Sequence, residues 1–230
     1  MLHFHVVTLF PESIEPYLNA SIIGRAIAAK KIKISYYDPK KFTRDRHGRV
    51  DRRPYGGGPG MVLEPDGMLR AAQKAIGNKK GVEKIFFATD GVVFDEVMAK
   101  ELSKKKDILF ICGHYEGVDA RVQKILKAKK VSVGPYVLTG GELPAATLID
   151  AISRFVPGVL GKAESLEASR VSSPDVYTRP EVLEWKGKKH RVPKILLSGH
   201  HAKIEEWKKS RKTPEVKPPE NTHGSSPARL

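Results

Sequence analysis

Residues 107–117 read Asp-Ile-Leu-Phe-Ile-Cys-Gly-His-Tyr-Glu-Gly, an apolar run that stops at a glycine. A short apolar run bounded by turn residues suits a strand covered on both faces. The stretch Lys-Ile-Phe-Phe-Ala-Thr at 84–89 has the same character. Residues 3–10, closed by Pro11, together with 32–37 and 131–133, add three more strands. Helical patterns fall between them. One starts near Ser13 with Ile22, Ile23, Ala26 and Ile27 at helical spacing; others cover 65–76, 94–104 and 119–126. Residues 142–155 form the strongest, with Leu143, Ala146, Leu148, Ile149 and Ile152 as its apolar face. Strands alternating with helices predict an α/β fold whose mostly parallel sheet is covered on both sides.

This α/β domain occupies residues 1–161. Within it, residues 39–60 form a long polar loop crowded with Arg, Asp and Gly, and loops of that length are usually functional or disordered. Beyond Pro157-Gly158 the character changes. Residues 162–175 are polar and aperiodic and read as an interdomain linker. Residues 176–209 read as a small, charged, helical second domain carrying Trp185 and Trp207. Residues 210–230, rich in Pro, Lys and Ser, read as a disordered tail.

Charge narrows the partners. Lys and Arg number 41 against 26 Asp and Glu, a net +15 on 230 residues. That excess suits a polyanion, either nucleic acid or an anionic membrane surface. No stretch approaches the roughly 18–20 apolar residues of a spanning helix. The start, Met1-Leu-His-Phe-His, does not resemble a signal peptide. A lone cysteine, Cys112, excludes an intramolecular disulfide and fits a reducing compartment. The expectation is a cytoplasmic protein with a polyanionic partner and no membrane association.

Glycine clusters punctuate the first domain at 55–60, 112–117, 132–136 and 138–142. The last three follow expected strands closely, the place where ligands bind in open α/β sheets. Any one of them would pass for a tight turn; three within about 30 residues indicate a ligand pocket. The ligand is not a dinucleotide held by a G-x-G-x-x-G turn, nor a nucleotide on a P-loop, since neither motif is present. There is no G-x-S-x-G elbow. His200-His201 and Cys112 lack metal-ligand spacing, so no metal site is expected. His114 reads as a loop residue.

The strings LFPES (9–13), RPYGGGPGM (53–61), CGHYEGVDARV (112–122), SVGPYVLTGGELPAATLIDAISRFVPGVLG (132–161) and YTRPEVLEW (177–185) closely resemble bacterial tRNA (guanosine-37-N1)-methyltransferases. The resemblance runs in order over about residues 1–209. It implies the SPOUT fold with a deep trefoil knot near the C-terminal end of the α/β domain, S-adenosylmethionine as methyl donor, and a homodimer with the site at its interface. A magnesium requirement is also implied, although no dedicated ligand cluster is visible. The matching cofactor positions are Gly113, Tyr115, Glu116, Val133, Gly134, Tyr136, Leu138, Gly140, Gly141 and Pro144, with Phe86 and Ala88 flanking the adenine.

The chemistry so implied makes its own demands. Guanine N1 carries a proton at neutral pH, and a carboxylate in reach can take it. Charge then builds on O6, where a guanidinium can stabilise it. Arg154 matches the family's catalytic arginine. Its plain alternative is a helix-end cation paired with a nearby acid. The aspartate that the family places in the linker is missing. Glu167 stands in the nearest register, followed by Glu164 and Asp175, and each could equally be a solvated linker carboxylate. Arg44, Arg46 and Arg49 offer phosphate contacts. Ser198, Gly199, His200 and His201 resemble the family's Ser-Gly-Asn-His tRNA-gripping motif, with His200 in place of Asn. Two other readings stay open: a different SPOUT RNA methyltransferase, and an RNA-binding protein without activity.

Overall fold

Strand β1 (Leu2–Val7) is second in a five-stranded sheet of order β2-β1-β6-β5-β7, with every pairing parallel. The other strands are β2 (Ile32–Tyr37), β5 (Glu83–Val93), β6 (Asp107–Ile111) and β7 (Lys129–Ser132). Two strand pairs stand apart: β3 (Asp51–Arg52) with β4 (Val62–Leu63), and β8 (Val182–Trp185) with β9 (Lys188–Arg191). The helices are α1 (Glu15–Leu18), α2 (Ser21–Ala28), α3 (Pro65–Ile76), α4 (Glu96–Leu102), α5 (Ala120–Leu126), α6 (Glu142–Ser153), α7 (Lys194–Leu197) and α8 (His201–Ser210). These come from a computed structural model that describes residues 1–160 and 175–211. The chain divides into two units, Met1–Leu166 and Glu167–Leu230.

Period-two alternation sends neighbouring strand residues to opposite faces. Phe4, Val6, Ile85 and Phe110 meet α2, α4 and α6 through Ile23, Ala26, Ala99, Leu102, Leu148, Ile149 and Ile152. On the other face Val7, Leu109 and Ile111 meet α3 and α5 through Met68, Ala71, Ala72, Ala75 and Val122. Burying each large apolar side chain contributes about 1.5–3 kcal/mol. The helices begin where their sequence allows. Pro65 opens α3 where a missing N–H costs nothing. Asp95 and Asp119 cap α4 and α5, accepting from the Met98 and Arg121 amides at 2.7 and 2.9 Å.

Several expectations need correction. The helix expected from Ser13 is two pieces, α1 and α2. Residues 39–60 are not all loop: a 3-10 turn at Pro39–Lys41 and strand β3 lie inside them. Asp45 organises the middle, accepting from the His47 and Arg49 amides at 2.8 and 3.3 Å. Strand β5 runs past Thr89 to Val93, because a bulge between Phe87 and Val92 lets it resume pairing with Val131. Gly91 permits this, since a Cβ there would meet the Val131 nitrogen at 2.6 Å. On α6 Ala146, Leu148, Ile149 and Ile152 are buried as expected, but Leu143 is 58% exposed while Glu142, Pro144 and Ala145 are buried, so the covered face is broader than expected and excludes Leu143.

In the second unit a hairpin precedes the helices, so this unit is not purely helical. Lys186 and Gly187 both have positive φ, 50° and 71°, as a two-residue hairpin turn requires. Tyr177 lies 6.4 Å from Trp207, and Arg211 sits over the same indole at 5.4 Å. Apart from Asp175, Ser210 and Arg211, the expected linker 162–175 and tail 210–230 lie outside the described residues.

Candidate active site

Parallel strands end on the same edge, where residues 86–90 of β5 and the loops leaving β6 and β7 enclose one cavity of about 380 Å³. Its walls hold all of the expected cofactor positions: Phe86, Ala88, Gly113, Tyr115, Glu116, Val133, Gly134, Tyr136, Leu138, Gly140, Gly141 and Pro144. Phe86 stands in β5, paired with Ile111 of β6 and Lys130 of β7. Sequence reading missed Thr89, Asp90, Val137 and Thr139, which also line the cavity. No local pattern distinguished them from ordinary loop residues.

Two close approaches shape the walls. The Gly141 amide donates to the Gly113 carbonyl at 2.9 Å, and Gly140 bridges His114. A Cβ on Gly141 would meet Cys112 Cα at 2.6 Å, and one on Gly140 would strike Glu142 and His114. The loop after β6 is held from the far side too. Glu116 donates its amide to the Met61 carbonyl at 3.0 Å, and Leu63 donates to the Gly117 carbonyl at 2.9 Å. Thus the string at 53–61 buttresses the string at 112–122.

Beneath this lies a buried carboxylate. Thr8 donates its hydroxyl to Glu142 at 2.6 Å, and His114 Nε2 stands 3.6 Å from the other Glu142 oxygen. Phe10 packs edge-on against the His114 ring at 4.7 Å. Hence His114 does more than occupy a loop: it joins β1's outgoing segment to the start of α6. Burial, reinforced by the Glu142 charge, pushes the Cys112 thiol well above its ordinary range. Cys112 is therefore packing, not a nucleophile. Asp90 is held below the usual carboxylate range by Lys130, which donates to it at 2.6 Å.

Arg154 is half-buried at the C-terminal cap of α6 and does not line the cavity. Pro144, which does, is ten residues back along the helix, about 15 Å at 1.5 Å per residue. Glu167 and Glu164 lie outside the described residues. Asp175, in the second unit, faces Arg211 at 3.7 Å. Arg44, Arg46 and Arg49 are exposed, with Arg49 3.6 Å from Asp45. Ser198, Gly199, His200 and His201 are exposed at the start of α8. Ser198 donates to the Ile195 carbonyl at 2.7 Å and accepts from the His200 amide at 3.3 Å. Although no metal site is expected from spacing, two histidines and a carboxylate do meet in one place: His3, His5 and Asp107 form the one such trio among the described residues, outside this cavity's lining.

No helix among the described residues is long and apolar enough to cross a membrane. A family model described as tRNA (Guanine-1)-methyltransferase TrmD matches residues 2–218. The tRNA (guanine-N(1)-)-methyltransferase of Lachnoclostridium phytofermentans is 39% identical, covering 90% of this chain and 86% of that protein. The protein of the same name from Clostridioides difficile is 41% identical, covering 90% and 91%. The crystal structure of a tRNA (m1G37) methyltransferase from Aquifex aeolicus superposes with a TM-score of 0.74 at 40% identity, over 90% of this chain and 87% of that one. This chain belongs to the tRNA (guanine-1)-methyltransferase family.

Proposed function

We propose that the protein transfers a methyl group from S-adenosylmethionine to N1 of guanosine 37 in tRNA, in the cytoplasm. The observation that carries this is the single cavity holding all the expected cofactor positions at the carboxyl edge of the sheet. Its size lies within the roughly 300–1,000 Å³ of small-molecule sites. The residues fit the group. Phe86 and Ala88 offer a slot for adenine, and close-packed Gly140 and Gly141 present backbone to a ligand. Glu116 supplies negative charge against the donor's cationic end, whereas Asp90 is already paired with Lys130. When bound, the donor supplies an electrophilic methyl group on a sulfonium.

The chain must supply the rest. Guanine N1 becomes nucleophilic once its proton leaves, and we assign that proton to the Glu167 carboxylate. The Arg154 guanidinium then stabilises the charge that moves to O6. A position about 15 Å along α6 from the cavity favours completion of the site by a second copy of the chain. The exposed apolar side chains Tyr136, Val137, Leu138 and Leu143 around the cavity rim suit such an interface. The return of residues 134–141 to hydrogen-bond beside 113–114 is consistent with a knotted crossing. Among the described residues the cavity's carboxylates, Asp90 and Glu116, gather no third ligand around them and do not by themselves fit a magnesium ion.

Exposed Arg44, Arg46 and Arg49, and Ser198 to His201 with the lysines of the second unit, suit phosphate contacts. Transfer of labelled methyl to a tRNA transcript with guanosine at 37, compared with one bearing adenosine there, tests the reading. Cofactor binding without transfer would leave an RNA-binding protein instead. Equal transfer to both transcripts would point to another RNA methyltransferase.

A further inference from the structure

Strand β1 places His3 and His5 on one face, two residues apart, the face that meets α3 and α5. Strand β6 brings Asp107 into register opposite His3. His5 Nε2 stands 2.8 Å from Asp107 Oδ1, and His3 Nδ1 stands 3.8 Å from the same oxygen. The two imidazole rings are 3.8 Å apart between centroids. One ligand atom from each of the three residues lies within 4.8 Å of the other two. The side chains of His3 and Asp107 are 16% and 18% exposed and that of His5 only 1%, so the group is walled in but reachable from one side.

We propose that His3, His5 and Asp107 bind a divalent transition ion of the zinc class, a site separate from the methyl-transfer cavity. Zinc at about 2.0–2.1 Å from tetrahedral nitrogen and oxygen ligands separates those ligands by about 3.3 Å. The two distances to Asp107 Oδ1, 2.8 and 3.8 Å, straddle that value and need shifts of about half an ångström, while the two imidazole nitrogens, within 4.8 Å of each other, must close by up to about 1.5 Å. Two imidazoles and one carboxylate favour zinc, cobalt or nickel over magnesium or calcium, which prefer all-oxygen shells. Water would complete the shell.

The surroundings supply an outer layer that holds each ring. His3 Nε2 pairs with Ser35 Oγ at 2.9 Å, and His5 Nδ1 with the Tyr37 hydroxyl at 3.1 Å. With Nε2–H donating to Ser35, His3 presents a bare Nδ1 toward the centre. Without metal, the proton on His5 sits on Nε2, because a carboxylate can only accept. With metal, that neutral ring carries its proton on Nδ1 and donates to Tyr37, so the ring's charge is unchanged. Lys33 and Lys79 stand near the two rings. Lys79 is itself held at the end of α3, donating to the Ala75 and Ile76 carbonyls.

The ligands lie near the amino ends of β1 and β6, whereas the cavity opens beyond the carboxyl end of β6. The ion would brace the sheet and take no part in transfer. The test uses the full chain, stripped with a chelator and titrated with Co2+, whose visible absorption reports a low-coordinate nitrogen–oxygen site. One equivalent should bind, be displaced by Zn2+, and raise the unfolding midpoint. His3→Gln and Asp107→Asn should each weaken binding at least tenfold, and Tyr37→Phe by about tenfold. If Asp107→Asn does not fold, the partly exposed His3→Gln decides alone. No uptake, uptake unchanged in His3→Gln, or uptake lost only in a His200→Gln/His201→Gln variant would each overturn the proposal.

Discussion

Replacing Gly141 by Ala isolates how closely the cavity's two walls must approach. Gly141 has φ −81° and ψ −4°, a conformation alanine adopts freely, so backbone strain plays no part. The obstacle is contact. The new Cβ would lie 2.6 Å from Cys112 Cα, 2.9 Å from its Cβ and 3.0 Å from the Gly113 nitrogen. Carbon atoms pack best at about 3.5–4.0 Å, so the walls must separate by about 1 Å. Such overpacking costs about 1–3 kcal/mol, in addition to a smaller loss of up to about 1 kcal/mol when Ala replaces Gly at a helix N-cap. At about 2–4 °C per kcal/mol for a unit of this size, the unfolding midpoint should fall by about 2–12 °C from overpacking alone. A wall displaced by 1 Å should cut methyl transfer by about 100-fold. Calorimetry and initial rates with labelled donor and a tRNA transcript measure both. Wild-type stability with turnover within twofold would show that the 112–113 and 140–141 segments do not touch as described. A lowered midpoint with normal turnover would show that the contact does not shape the site.

Three further outcomes follow from single contacts. Thr8→Val removes the donor to buried Glu142 and the acceptor of the Phe10 amide, and should cost about 1–3 kcal/mol in denaturant unfolding; no loss would mean that both groups are satisfied elsewhere. Arg154→Lys keeps the charge but loses the planar fork, so kcat should drop about 100-fold with donor affinity unchanged, and an unaltered kcat would remove Arg154 from the chemistry. The Arg121 side chain, hydrogen-bonded to Asp119, holds that carboxyl below its usual range. Asp119 therefore stabilises the fold above its unfolded pKa of about 3.9, and this is lost as pH falls through the lower folded value. An Asp119→Asn variant should show a flatter fall in stability over that acid interval, and an identical slope would contradict the assignment.

Much of the local structure was legible because its causes are local. The expected strand at 32–37 and helix at 65–76 coincide with β2 and α3, and Pro65 and Gly77 bound the helix by their own backbone preferences. The glycine clusters pointed to the cavity because backbone crowding needs glycine in any context. Motif strings marked residues that the structure gathers around one cavity, and packing of 53–61 against 112–122 shows why those distant strings belong together.

Other features depend on which segments meet. Nothing local reveals that β6 lies between β1 and β5, since register is set by burial of whole faces. Helix α6 is apolar nearly all round, so periodicity could not tell that Leu143 faces outward while Glu142 is buried. The Thr8–Glu142 bond and the gathering of His3, His5 and Asp107 join residues more than a hundred apart. A side chain's type and period are properties of its neighbours in the chain. Its partner across the sheet is selected only when the core closes, and the tertiary structure alone makes that choice.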